Sequence, residues 1–231
     1  MQLSNPFIVR CSGIGQIMTN PRNKTDIASG KLSQTCLTYV HSWIKSQPEF
    51  YNREKNFRSK YTLKGNMCEN DSIRFAAKYY GWGNVEKNTE RKTNDFMTGE
   101  CDILIPQSVE DIKNSYSEAT FPLFYNEIPI DGYGFQLQGY MELYNKPKSG
   151  LVYTLMNAPE KMIEREARAR MYELDLDEME AELYDEVEAE MTYDTIPDEL
   201  RIKRFGLDRD RKVIEYVSDR VDLCRKYILS L

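Results

Sequence analysis

An α/β (α+β) fold, a sheet flanked by helices with an acidic helical appendage over 159–192, is what this 231-residue sequence predicts, and three observations predict it. β-Branched residues around Ile103 and Ile112 flank the turn-formers Pro106, Gln107 and Ser108, which reads as a strand pair over 99–105 and 109–115. Apolar residues at Leu32, Cys36, Leu37, Val40, Trp43 and Ile44 recur at helical spacing ahead of Pro48, and a second such stripe runs over 65–80. Between Glu160 and Glu190, thirteen acids stand against four bases, so one segment carries −9 and leaves +3 of the net −6 to the rest.

The remaining elements follow in order. Phe7 to Thr19 reads as a short extended run, a Gly-punctuated loop and the start of an apolar stripe, and 20–31 as a polar loop. Tyr51 to Lys64 interleaves Arg53, Lys55, Arg58, Lys60 and Lys64 with Tyr51, Phe57 and Tyr61, a mixture suited to phosphates and exposed bases, or else a solvated helix with aromatic anchors. Val85 to Lys92 alternates weakly, so 85–115 reads as an antiparallel meander. A loop over 116–134 precedes a helix over 135–144 and a buried strand over 151–156. Pro159 to Met191 reads as two helices broken near Asp175 to Asp177, 199–205 as an edge strand, and 208–229 as an amphipathic helix. All of this fits one domain, 1–231.

Composition excludes several functions. At 41% hydrophobic and 12% aromatic residues, wholesale disorder is excluded. There is no run of about 18 apolar residues, and the start Met-Gln-Leu-Ser-Asn-Pro lacks a secretory pattern, so the expectation is a cytoplasmic protein with no membrane partner. The five cysteines are widely spaced and never form Cys-x-x-Cys, which argues against a disulfide framework, a zinc ribbon or an iron–sulfur cluster. His41 is the only histidine and has helix-packing neighbours. Zinc hydrolases that need several imidazoles are therefore excluded.

The chemistry concentrates around the strand pair. Side chains alternate along a strand, so Asp111 and Lys113 share a face while Ile112 points to the other. Asp102 on the neighbouring strand is brought beside Asp111. Two carboxylates and a lysine at the rim of a sheet suit hard-cation chemistry on phosphate: oxygen ligands for Mg²⁺, and a cation to orient or activate water. Glu69 lies on or beside the buried stripe of the 65–80 helix and needs a partner, either a shared metal or an ion pair with Arg74 or Lys64. Gln136 and Gln138 subtend roughly 200° on a helix, so only one faces the site squarely. Arg10 and Ser12 beside Gly13 form either an anion pocket or a surface turn.

The order Glu69, Asp102, Asp111-Ile112-Lys113, then Gln136-x-Gln138 resembles the PD-(D/E)XK nuclease superfamily, most closely phage lambda-type alkaline exonucleases of the viral-recombinase kind. The resemblance covers roughly 8–157, and the phrase Arg10-Cys-Ser-Gly-Ile-Gly is similar to crAss-like phage exonucleases. It implies a restriction-endonuclease-like core with a mixed sheet, and a 5′-3′ exonuclease on linear double-stranded DNA ends. By resemblance, Asp102, Asp111, Glu69 and the carbonyl of Ile112 hold Mg²⁺ or Mn²⁺, as two ions. Lys113 assists the attacking water, Gln136 or Gln138 lines the site, and Arg10 with Ser12 takes a terminal 5′-phosphate. A single-strand annealing protein and further copies of the chain are the implied partners. Cys101 stands where the family has Pro. The alternatives are a structure-specific or restriction-like endonuclease on the same fold, or a catalytically silent module that binds DNA or protein.

Overall fold

The computed structural model describes residues 3–53 and 59–231. Lys55, Phe57 and Arg58 of the basic-aromatic stretch lie outside the described residues.

The chain begins with β1 (Val9–Arg10), a 3₁₀ turn over Cys11–Gly13 and the single turn α1 (Ile14–Ile17). The polar stretch that follows contains a short helix, α2 (Lys24–Ala28), because Asn23 accepts a capping bond from the Thr25 N–H. Helix α3 (Gln34–Ser46) is capped by Ser33 and stops before Pro48. Helix α4 (Lys60–Tyr80) starts five residues earlier than its apolar stripe, since Ser59 and Thr62 form a capping box ahead of it, and it ends at Gly81 in the left-handed region. Lys60 and Lys64 are therefore helical.

The expected 85–115 meander is not formed. Residues 85–91 join no ladder. β2 (Lys92–Thr93) and β3 (Met97–Gly99) pair antiparallel in a small sheet with β1, ordered β1-β3-β2, whereas β4 (Ile103–Ile105) and β5 (Ser108–Asn114) belong to a second sheet. The run over 99–105 thus splits at Glu100 to Asp102, and Asp102 sits in a bend just before β4 rather than on a strand. Period-two alternation shows a strand but not which sheet it joins.

Helix α5 (Asp131–Tyr144) starts earlier than its apolar pattern. It crosses over to β6 (Lys148–Thr154), which runs parallel to β5. Helices α6 (Glu160–Glu173) and α7 (Ala181–Met191) are the acidic hairpin, with Asp175 left-handed at the expected break. Strand β7 (Ile202–Asp208) closes the edge of the β4-β5-β6-β7 sheet, and α8 (Arg211–Ser230) ends the chain.

This mixed sheet is covered on both faces. Val109, Leu151, Tyr153 and Phe205 join Leu137 and Tyr140 of α5, Val217 and Cys224 of α8 and Cys36 and Val40 of α3 in the main core. Ile103, Ile112, Val152 and Ile202 pack under Ile73 and Ala76 of α4 on the opposite face. The hairpin has its own small core, with Met162, Ile163, Ala167, Leu183 and Val187. His41 on α3 meets the Tyr227 hydroxyl of α8 at 2.6 Å. Among the described residues no helix is long and apolar enough to cross a membrane.

Candidate active site

β5 supplies the centre. Asp111 is 2% exposed on the α5 face, two residues from Val109, because the pleat gives both the same side. A buried carboxylate needs partners, and two are present. Gln136 of α5 donates through Nε2 to Asp111 Oδ1 at 3.0 Å and also to the Tyr140 hydroxyl at 3.0 Å. Lys113 Nζ lies 2.6 Å from Asp111 Oδ2, an ion pair in which no well-aligned hydrogen bond reaches that oxygen.

The bend at Asp102 delivers the second carboxylate. Its Oδ2 accepts the Ile112 N–H at 2.6 Å. Ile103 opposite Glu110 is the last β4 pair, so beyond it Ile112 turns its amide to an edge with no strand beside it, and Asp102 takes the vacant place. The N–H and C=O of a strand residue leave on the same edge, so the Ile112 carbonyl points to the Asp102 side as well.

Burial, and then the neighbouring Asp111 carboxylate, push the Asp102 carboxyl up to about 7. Burial works against the Lys113 ammonium, but Asp111 and Asp102 outweigh it and hold its pKa above the ordinary lysine value. The ring of Tyr133, in the first turn of α5, lies 5.2 Å from the ammonium.

The other predicted residues are placed as follows. Glu69, from the helix over the opposite sheet face, pairs with Lys87 at 2.5 Å, and its charge is felt by Asp102. Neither suggested ion-pair partner meets it: Arg74 pairs with Asp71, and Lys64 is buried against the carbonyls of Ser115 and Tyr116. Gln138 turns away from Asp111, donating to the Asp208 carbonyl and accepting from the Asp210 N–H. Gln136 is therefore the one that faces Asp111. Arg10 and Ser12 are both exposed, at the end of β1 and in the turn after it. Cys11 between them is close enough to Asp111 to be affected by its charge. Tyr140, Tyr133 and Lys87 join the site without having been singled out in the sequence. Tyr140 was accessible through its i+4 spacing from Gln136; Lys87, in an unpaired loop, carried no signal.

Asp102, Asp111 and the Ile112 carbonyl would offer a cation hard oxygen, as would Glu69, whose carboxylate is here paired with Lys87. No group of three or more His, Cys, Asp or Glu side chains gathered as a metal cage occurs among the described residues. Asp111 Oδ2, buried and met only by the Lys113 ammonium, and the all-oxygen set fit Mg²⁺ or Mn²⁺ and do not fit a soft metal.

No family model and no curated protein matches the chain. Among solved structures, it is similar to a phage related exonuclease from Haemophilus somnus 129PT, at 28% identity and TM-score 0.76, over 96% of this chain and 94% of that one. It is also similar to an alkaline exonuclease, LHK-Exo, from Laribacter hongkongensis, at 13% identity and TM-score 0.64, over 96% of this chain and 88% of that one. A structure of LHK-Exo in complex with dAMP matches at 12% identity with the same TM-score and coverage.

Proposed function

We propose that the chain, which is similar to a phage related exonuclease and shares the fold of an alkaline exonuclease, is a PD-(D/E)XK protein of the alkaline-exonuclease family and a metal-dependent deoxyribonuclease, a phage-type 5′-3′ exonuclease that hydrolyses linear double-stranded DNA for recombination or DNA processing. The observation that carries this reading is the convergence of Asp102, Asp111 and Lys113 on the one edge of β5 that β4 leaves open. Support by similarity comes from the phage related exonuclease, and the dAMP complex of LHK-Exo supports a nucleotide-binding cleft in the same fold.

In this mechanism Asp102, Asp111 and the Ile112 carbonyl would hold a divalent ion, with Glu69 completing the set, and a bound ion would supply an acidified water and charge neutralisation on the phosphate. Lys113 keeps its positive charge beside the reacting phosphate, where a fixed cation stabilises the developing negative charge, and it orients the attacking water. Gln136 keeps Asp111 aligned, while the half-buried Tyr133 ring and the buried Tyr153 ring near the ammonium shield that side from bulk water. Arg10 and Ser12 take a terminal 5′-phosphate. The partners are DNA ends, with an annealing protein and further copies of the chain as candidates.

The test is digestion of linear duplex carrying 5′-phosphate or 5′-hydroxyl ends, with a covalently closed circle as control and with Mg²⁺ or EDTA. Phosphate-dependent loss of the linear substrate alone is expected. Cutting of the circle would make the protein an endonuclease, and no cleavage by wild type would leave a binding module. Asp111→Asn and Lys113→Ala are expected to abolish cleavage while the protein still folds.

A further inference from the structure

Lys87 stands beside the carboxylates but belongs to none of the elements that build the site. It lies on the 85–91 segment, which joins no sheet yet is fixed in place. The Asn88 N–H donates to the Asp102 carbonyl at 2.7 Å, and the Asn88 amide donates to the Cys101 carbonyl at 2.9 Å and to the Tyr144 hydroxyl at 3.1 Å. Tyr144 in turn donates to the Glu90 carbonyl. The strap is thus sewn to the very bend that carries Asp102. One residue earlier, Lys87 extends its ammonium to Glu69, 2.5 Å away, within the electrostatic reach of Asp102 and Glu100 as well. Glu100 has its own cation, Arg91, at 3.5 Å.

We propose that Lys87 is a resident counter-cation of the acidic site: its ammonium holds Glu69 until a divalent ion displaces it, so lysine and metal compete for the same carboxylate. The inference rests on the nuclease reading above. The ammonium meets Glu69 through Oε2, and while that pair is closed the carboxylate's charge is partly neutralised and its Oε2 is taken, so Glu69 is a weaker ligand than a free carboxylate. The anchored backbone at Asn88 keeps Lys87 from leaving altogether, so its effective concentration at Glu69 stays high. Its side chain is 36% exposed and has solvent in which to swing. A purely structural ion pair tying strap to helix would make the opposite prediction, because losing it would loosen Glu69 and weaken the metal.

The experiment is Mn²⁺ binding to the purified full chain, read by the electron paramagnetic resonance of free ion, for wild type, Lys87→Met and Lys87→Arg. Lys87→Met is expected to bind Mn²⁺ about fivefold more tightly, the factor belonging to a half-exposed ion pair, and Lys87→Arg to remain near wild type. Unchanged or weaker binding in Lys87→Met overturns the proposal. A second readout needs no charge-removing variant: the ε-methylene carbon resonance of Lys87, assigned by its absence in Lys87→Arg, is expected to move when Mg²⁺ is added to wild type, and a stationary resonance overturns the proposal too. If wild type binds no Mn²⁺, or binds it equally well after Asp111→Asn, the nuclease reading fails and this inference with it. That result shows in proteins where Lys87 is intact, so the two failures are distinguishable.

Discussion

Arg204 of β7 reaches across β6 to grip Glu110 of β5 with two hydrogen bonds, Nε to Oε2 at 2.8 Å and Nη2 to Oε1 at 2.7 Å. The strand between them carries Gly150 at the matching register, and a Cβ there would fall 2.0 Å from Glu110 Oε2. Glu110 is fully buried, and its Oε1 also accepts the Ser108 hydroxyl at 2.5 Å. The pair sits one residue from Asp111 but on the other face of the sheet, so it fixes the pleat that aims the site without entering it. Breaking one side leaves a buried carboxylate unpaired. Arg204→Met is therefore expected to cost about 3 to 5 kcal/mol in urea unfolding, and the double variant Glu110→Leu with Arg204→Met to recover most of it. If the double variant is as unstable as the single one, the ion pair is not the source of the loss.

Gln136 acts on Asp111 from the helix side. Gln136→Leu removes the donor to Oδ1 and leaves the acid free to rotate toward Lys113 alone. Partners that orient a ligand are commonly worth about 10- to 100-fold in activity or metal affinity, and a loss in that range is expected with the circular dichroism unchanged. Tyr140→Phe removes only the group behind Gln136, so its loss is expected to be smaller. A larger effect for Tyr140→Phe than for Gln136→Leu would reverse the order of the relay.

How far this site was legible in the sequence depends on which physical signal each residue carries. Asp111 and Lys113 were legible because strand alternation alone places them on one face. The choice between Gln136 and Gln138 was legible as an exclusion, since helical periodicity forbids both from facing one point, but which of them turned inward depended on the register of α5 against β5. Asp102 was recognised as a partner of Asp111, yet its backbone was misread: the bend at 100–102 exists because Gly99 belongs to one sheet and Ile103 to another, a long-range fact that no local pattern encodes. The Glu69 to Lys87 pair is of the same kind, spanning 18 residues between a helix and an unpaired strap. The acidic hairpin was legible from charge and apolar spacing together, because it packs mostly on itself.

Lys64 is a pH-dependent element outside the site. It is 1% exposed, its ammonium donates to the Ser115 and Tyr116 carbonyls at 3.2 and 2.8 Å, and it lies 5.2 Å from the ring of Tyr193. Burial lowers its pKa to about 8, against smaller opposing effects of Cys68 and Glu118. An unfolded lysine titrates near 10.4. Between about 8 and 10.4 the unfolded chain therefore binds more protons than the folded one, and stability rises with pH across that window. Relative to Lys64→Met, wild type is expected to gain stability between pH 7.5 and roughly 10, measured by urea unfolding at several pH values. A falling difference would mean that the two carbonyls hold the charge more firmly than burial resists it.

The last test concerns how the Arg10 to Ser12 turn is held against α5. Helix α1 meets α5 where Gly15 faces Gly132, and a Cβ on Gly15 would lie 2.5 Å from the Gly132 Cα, a backbone atom that cannot rotate aside. Gly15→Ala must push the two helices apart, and overpacking of this sort costs about 1 to 3 kcal/mol. Gly65 provides the control: it lies inside α4, its added Cβ would meet nothing within 4 Å, and Gly65→Ala is expected to stabilise by roughly 0.5 to 1 kcal/mol through helix propensity. Opposite signs in thermal unfolding would tie the first effect to the close approach rather than to loss of glycine as such. Because α1 follows the turn that carries Arg10 and Ser12, Gly15→Ala is further expected to reduce any preference for 5′-phosphorylated ends more than it reduces cleavage itself, which a comparison of the two end types would measure.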